Sequence, residues 1–78
     1  MDINARLARR IRELRDARGL SLEALAERSG VSRSNISLIE RGQSSPTAVV
    51  LDKLSAGLGV TVASLFEEAA PPAAEPSP

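Results

Sequence analysis

The chain has 78 residues, enough for one small domain with a modest hydrophobic core. It contains no cysteine and no histidine, which excludes disulfides and thiol catalysis and removes the commonest ligands of zinc and iron, so we expect no metal, cofactor or catalytic site. Serine is plentiful, but the only basic partner besides arginine is Lys53, which makes an enzyme the least favoured class. No apolar run approaches about 18 residues and the N-terminus lacks a hydrophobic signal core, so we expect a cytoplasmic protein.

Charge is distributed unevenly along a chain whose formal net charge is zero. Residues 1–41 carry nine arginines against six carboxylates, whereas residues 42–78 carry Lys53 against four carboxylates. The N-terminal part is therefore basic and the C-terminal part acidic. Because a phosphate backbone responds to local potential, a neutral chain of this kind can still bind nucleic acid through its basic part.

The first predicted helix runs from Ile3 to Arg18 and is amphipathic. Gly19 follows it and is expected to end it. The apolar stripe, which we expect to be buried, consists of Ile3, Leu7, Ile11 and Leu14. Arginines occupy positions off this stripe.

A second predicted helix begins after Ser21, a residue type that caps helices. Its apolar positions recur at helical spacing, and Gly30 stands where a helix ends in the left-handed conformation. This helix should therefore end at about Ser29.

The third predicted helix follows after only a few residues. Val31 is expected to be buried beside the turn and Ser32 to cap the next helix, which extends from Arg33 to about Arg41. A turn this short makes the two helices cross steeply, so the third helix should pack with one face and present the other.

The two faces of the third helix differ in chemistry. A rotation of about 100° per residue places Ile36 and Ile39 inward, with Asn35 and Glu40 at the margins. The outward side mixes a guanidinium, small hydroxyls and an apolar group, which suit base edges and thymine methyls in a major groove. An ordinary solvated helix face is the alternative interpretation. The outward residues are Arg33, Ser34, Ser37, Leu38 and Arg41.

Two further helices are predicted after this motif. Thr47 should cap a fourth helix, which Gly59 ends, and Thr61 a short fifth helix that contains Phe66. We expect Phe66 to fill the core rather than stack on a base. The predicted buried stripe of the fourth helix is Val50, Leu51, Leu54 and Leu58. The expected fold is all-α, a compact five-helix bundle without strands.

The last ten residues change composition abruptly. Four prolines within 69–78 disfavour regular structure and leave too little apolar surface for a core. We therefore predict one domain over 1–68 and a flexible tail over 69–78. The tail is either a frayed terminus or a linker to a further domain.

Over residues 5–68 the chain resembles the phage-repressor (Cro/cI, or Xre) family of helix-turn-helix regulators. The motifs that carry the resemblance are Arg-x-x-Gly-Leu before the motif, Gly-Val-Ser at its turn, Ile-Ser-x-Ile-Glu-Arg-Gly on the third helix, and Ser-Pro-Thr after it. Each is weak alone, but their order and spacing together are specific. The resemblance implies a sequence-specific regulator that occupies a double-stranded DNA operator.

The resemblance also implies residue roles. Arg33, whose fork fits guanine O6 and N7 but also fits a phosphate, is the foremost of the candidate base contacts. Leu38 is expected either to cover a thymine methyl or to pack against a neighbouring helix. The full set of candidate base contacts is Arg33, Ser34, Ser37 and Leu38. The candidate phosphate contacts are Ser32, Asn35, Arg41 and Gln43.

Two departures from the family pattern reduce the expected number of backbone contacts. Position 22, commonly a glutamine in the family, is Leu22, and the loop 43–45 lacks the usual lysines and arginines. Arg15 and Glu40 match a family pair that bridges the first and third helices, so we expect their role to be structural. Leu22 and the zero net charge also favour a rival interpretation, a protein-interaction module that keeps the fold without reading DNA.

Partners follow from the usual use of the fold. One recognition helix reads only a few base pairs, so we expect a homodimer that reads half-sites about 34 Å apart. Val49, together with Val62 or Phe66, is the candidate contact. A C-terminal sensor domain, often a small β-barrel of the cupin type in similar proteins and absent from this chain, is the alternative source of dimer contacts.

Overall fold

The computed structural model describes residues 2–67 and is built from four α-helices and one turn of 3-10 helix. These are α1 (Ile3–Ala17), α2 (Leu22–Ser29), α3 (Arg33–Glu40), α4 (Ala48–Leu58) and the 3-10 helix (Ala63–Phe66). No strand occurs within residues 2–67, which confirms the all-α class. The predicted tail over 69–78 lies outside the described residues.

Each α-helix begins at a side-chain cap that satisfies a free backbone N–H group. The hydroxyls of Ser21, Ser32 and Thr47 accept hydrogen bonds from the backbone N–H three residues later, at 3.0, 3.1 and 3.2 Å. Asp2 caps α1 in the same way through its carboxylate. These caps confirm the predicted starts of α2, α3 and α4, because capping depends on residues within one turn.

The fifth predicted helix is a single 3-10 turn rather than an α-helix. The Thr61 hydroxyl does accept a hydrogen bond from the Ser64 N–H at 3.2 Å, but the segment contains only four residues. Backbone bonds from Ser64 to Thr61 and from Leu65 to Val62 span three residues, the 3-10 pattern. The count of five helices was therefore wrong, although the class was right.

One hydrophobic core lies between the helices. α2 packs on α4, α1 packs on α3 and on the 3-10 helix, and α2 and α3 pack on each other. Leu25, Ile36 and Leu54 are fully enclosed. The core consists of Leu7, Ile11, Leu14, Leu25, Val31, Ile36, Ile39, Leu51, Leu54, Leu58 and Leu65.

Two predicted core residues are exposed, and a third packs against the core while only partly buried. Ile3 is 59% exposed because it occupies the first turn of α1, beyond the part of the helix that the core covers, and Val50 is only partly buried. Phe66 is 42% exposed, whereas Leu65 beside it is fully buried. In a helix of three residues per turn, adjacent side chains diverge by roughly 120°, so the two cannot face the core together.

Two arginines fasten the outer helices through backbone carbonyls. Arg10 Nε donates to the Ser64 carbonyl at 3.0 Å, which ties α1 to the 3-10 helix. Arg28 Nε donates to the Gly57 carbonyl at 3.0 Å, which ties α2 to α4.

In the part of the chain that the structure describes, no helix is long and apolar enough to cross a membrane.

Candidate nucleic-acid interface

The turn between α2 and α3 sets the direction in which α3 is presented. Gly30 adopts a φ of 78°, in the left-handed region that favours glycine, and its N–H donates to the Ala26 carbonyl at 2.9 Å. Val31 is buried directly after it, and the Val31 N–H donates to the Ser29 hydroxyl at 3.1 Å. The turn is therefore held by both its backbone and its core contact.

α3 packs with one face and exposes the other. Ile36 and Ile39 are buried, while Arg33 and Ser34 are exposed and Leu38 is 37% exposed. We call the outward residues the recognition face: Arg33, Ser34, Ser37, Leu38 and Arg41.

The recognition face borders a shallow open depression of about 310 Å³. The half-buried Leu22 from α2 also lines it. All four candidate base contacts line it, and so does Arg41. The structure thus brings together on one surface residues that the sequence placed on one side of a single helix.

The candidate phosphate contacts are more dispersed. Ser32 and Gln43 are exposed and Asn35 is half-buried, but these three residues do not line the depression. The Ser32 hydroxyl accepts the Asn35 N–H and keeps its own proton for a further acceptor. Arg41 forms the C-cap of α3, and its Nε donates to the Ser37 carbonyl at 3.3 Å.

Arg33 is available for a partner. It is the first residue of α3, it is exposed, and it forms neither a hydrogen bond nor an ion pair with any residue in 2–67. Its guanidinium therefore has all five donors free. It stands at the helix N-terminus, where free backbone N–H groups also favour anions.

Arg15 and Glu40 form a bidentate ion pair between α1 and α3. Arg15 Nε and Nη2 lie 2.7 and 2.9 Å from the two Glu40 carboxylate oxygens, and Nη1 donates to the Leu20 carbonyl at 2.8 Å. Only 14% of the Arg15 side chain and 7% of the Glu40 side chain are exposed. Hydrogen bonding to Glu40 raises the pKa of Arg15, against the opposing effect of burial, so the guanidinium stays charged.

Sequence reasoning did not anticipate a second basic cleft beside the recognition face. Arg9 and Arg12 of α1 line it together with Arg41. Their three-residue spacing off the apolar stripe of α1 indicates a shared face, but nothing local indicates that Arg41 lies beside them.

The described residues contain no group of three or more acidic, histidine or cysteine residues that could hold a metal ion.

Comparison with known proteins places this architecture among helix-turn-helix proteins. The helix-turn-helix family model matches residues 11–65. The chain is 41% identical over 71 residues to the HTH-type transcriptional regulator SutR of Escherichia coli, and 43% identical over 63 residues to the HTH-type transcriptional regulator SinR of Bacillus subtilis. These matches cover 91% and 80% of this chain but only 39% and 57% of those relatives.

A solved structure of similar size matches the fold as well. The restriction-modification controller protein C.AhdI of Aeromonas hydrophila superimposes with a TM-score of 0.79 at 41% sequence identity. The match covers 81% of this chain and 96% of that protein. The likeness therefore extends over nearly the whole of a small protein, as well as over parts of larger ones.

Proposed function

We propose that this chain, which belongs to the helix-turn-helix family, binds duplex DNA sequence-specifically and acts as a transcriptional regulator. The observation that carries the proposal is the recognition face, exposed on a helix whose other side is locked into the core. A B-DNA major groove is about 12 Å wide and admits one α-helix of this diameter. α3 is the helix that we place in the groove.

Base contacts are assigned to the residues that line the depression. Arg33 donates from its free guanidinium to guanine O6 and N7, a contact worth about 1–3 kcal/mol of discrimination. Ser34 and Ser37 bond to base edges directly or through water, and Leu38 covers a thymine methyl. Its partial exposure supports this assignment over packing against a neighbouring helix.

Backbone contacts are assigned around the ends of α3. The backbone N–H groups of Arg33 and Ser34, together with the side chains of Ser32 and Asn35, face one phosphate-bearing strand. Arg41 and Gln43 extend the contact beyond the C-terminal end of the helix. These contacts position the domain on the duplex and carry no sequence information of their own.

Selection of bound sequences from random duplex DNA tests the proposal. The unmodified chain should enrich a defined sequence, and Arg33→Ala should relax the preference at one position per half-site. Arg18→Ala is a matched control, because it removes an exposed arginine that lies outside the recognition face. Uniformly weaker binding with unchanged preference would reassign Arg33 to a phosphate.

A protein-interaction role is the rival function, and Leu22 is the observation that favours it. Leu22 contributes apolar surface to the depression at a position where the family usually has a glutamine. A salt titration separates the two functions. A slope of log K against log salt near zero, without preference among duplexes, would support the rival and overturn DNA binding.

The proposal extends to assembly and location. A homodimer on DNA would present two recognition helices to successive turns of the duplex. Val49, Val62 and Phe66 are exposed apolar residues suited to the contact. We also propose that the protein is cytoplasmic and has no catalytic activity. A sensor domain would be part of a longer protein than this chain.

A further inference from the structure

We infer that a cleft between α1 and the end of α3 is a second DNA-binding site, which holds a phosphodiester group of the backbone. The inference rests on the proposed function and assigns it an additional contact surface. We call this site the arginine cleft and define it by Arg9, Arg12 and Arg41. Its volume is about 420 Å³, and the rest of its lining consists of three small residues (Ala5, Ala8 and Gly42) and two carboxylates (Asp2 and Glu40).

The two carboxylates that line the cleft already accept hydrogen bonds from other residues of the protein. Asp2 Oδ1 accepts the Ala5 N–H at 2.8 Å as the cap of α1. Both Glu40 oxygens accept hydrogen bonds from Arg15. Neither carboxylate forms an ion pair with the arginines that define the cleft.

The guanidinium groups of the cleft are correspondingly available. Across residues 2–67, Arg9 and Arg12 form no hydrogen bond or ion pair, and Arg41 uses only its Nε, toward the Ser37 carbonyl. Three guanidiniums that line one cleft and form no ion pair with a carboxylate attract an anion. The planar fork of arginine fits the paired oxygens of a phosphate group.

Continuity with the recognition face identifies the anion as DNA backbone. Arg41 lines both the arginine cleft and the depression beside the recognition face. A duplex that receives α3 in its major groove therefore brings a flanking phosphate strand to Arg41, with Arg9 and Arg12 adjoining. This contact supplies positive charge that the uncharged loop 43–45 lacks.

The test is the salt dependence of binding to the sequence selected by the unmodified chain. Arg12→Gln should reduce the steepness of log K against log salt by about 0.9 per bound domain, and Arg9→Gln with Arg12→Gln by about 1.8. Lys53→Gln is the matched control, because it removes one positive charge from α4 at an exposed position outside both depressions. Its slope should equal that of the unmodified chain.

A second readout separates a backbone contact from a base contact. Selection from random DNA with Arg12→Gln should return the same preferred sequence, with weaker binding to all duplexes alike. Thermal unfolding of Arg12→Gln and of the double variant should match that of the unmodified chain, because neither Arg9 nor Arg12 forms a hydrogen bond or an ion pair within residues 2–67.

The possible failures are distinguishable. If the unmodified chain binds its selected sequence but Arg12→Gln and the double variant keep the slope of Lys53→Gln, the arginine cleft is not a phosphate site and the proposed function stands. A changed base preference in Arg12→Gln would also overturn the inference. If the unmodified chain shows no preference among duplexes at low salt, both proposals fail together.

Discussion

At the scale of single residues, the Arg15–Glu40 pair connects stability to the position of α3. The pair is bidentate and almost enclosed, and Arg15 also holds the Leu20 carbonyl in the turn that precedes α2. Loss of one partner leaves the other charge in a site with little water. Such a loss costs more than the pair itself contributes, because the Arg15 guanidinium then keeps only the exposed Asp16 carboxylate, 3.6 Å away, as a charged partner.

Glu40→Ala should therefore lower the free energy of unfolding by about 3–5 kcal/mol. Because the chain has no tryptophan or tyrosine, urea unfolding is best followed by far-ultraviolet circular dichroism. Glu13→Ala removes an exposed carboxylate from α1 and should change stability by less than about 0.5 kcal/mol. Equal stability of the two variants would contradict the structural role of the pair.

At the scale of elements, the contact between α2 and α4 depends on the absence of a side chain at Gly57. A Cβ built there would lie 2.9 Å from Ser29 Cβ and 3.1 Å from both Ser29 Cα and the Ser29 backbone nitrogen. Two of these three atoms are backbone, so relief requires the helices to separate. Gly57 lowers the helix propensity of α4, but its missing side chain permits α2 to pack closely on α4.

Gly57→Ala should consequently destabilise the domain by about 1–3 kcal/mol, although alanine is the better helix former by about 1 kcal/mol. Ala56→Gly at the exposed neighbouring position measures the propensity effect alone and should lower stability by about 1 kcal/mol. Thermal or urea unfolding of both variants checks the prediction. A gain in stability for Gly57→Ala would show that α2 and α4 tolerate a side chain between them.

At the scale of the whole molecule, exposed apolar side chains are concentrated outside the recognition face. Val49 on α4 is 65% exposed, and Val62 and Phe66 add apolar surface on the C-terminal segment. A recognition helix covers only a few base pairs, so a twofold pair multiplies specificity when the two domains also contact each other. The proposed homodimer would bury this surface.

Val49→Lys should weaken cooperative binding to a duplex with two half-sites about tenfold and leave binding to a single half-site unchanged. Cooperative binding weakens because the substitution places a charge in the proposed dimer contact. Binding to a single half-site is unchanged because Val49 lies outside the recognition face. Gel-shift titrations with one-site and two-site duplexes measure the difference, and Lys53→Ala on the same helix serves as control. Equal loss on both duplexes would contradict the proposed contact.

Much of the fold and part of the site were predictable because they rest on local chemistry. The caps Ser21, Ser32 and Thr47 act within three residues, and Gly30 determines the turn through its own φ angle. Helical spacing alone separated the buried Ile36 and Ile39 from the recognition face. The family motifs supplied candidate roles for those exposed residues, and these roles remain proposals.

The amino-acid sequence by itself thus determined the helices α1 to α4, their tight turn and the inward face of α3, because capping, helical period and left-handed glycine are short-range effects. Only the tertiary structure decided that Ile3 and Phe66 lie outside the core, that Gly57 meets Ser29, and that α1 arginines adjoin Arg41. Arg12 and Arg41 are far apart along the chain, so their proximity depends on how whole helices pack rather than on any local pattern.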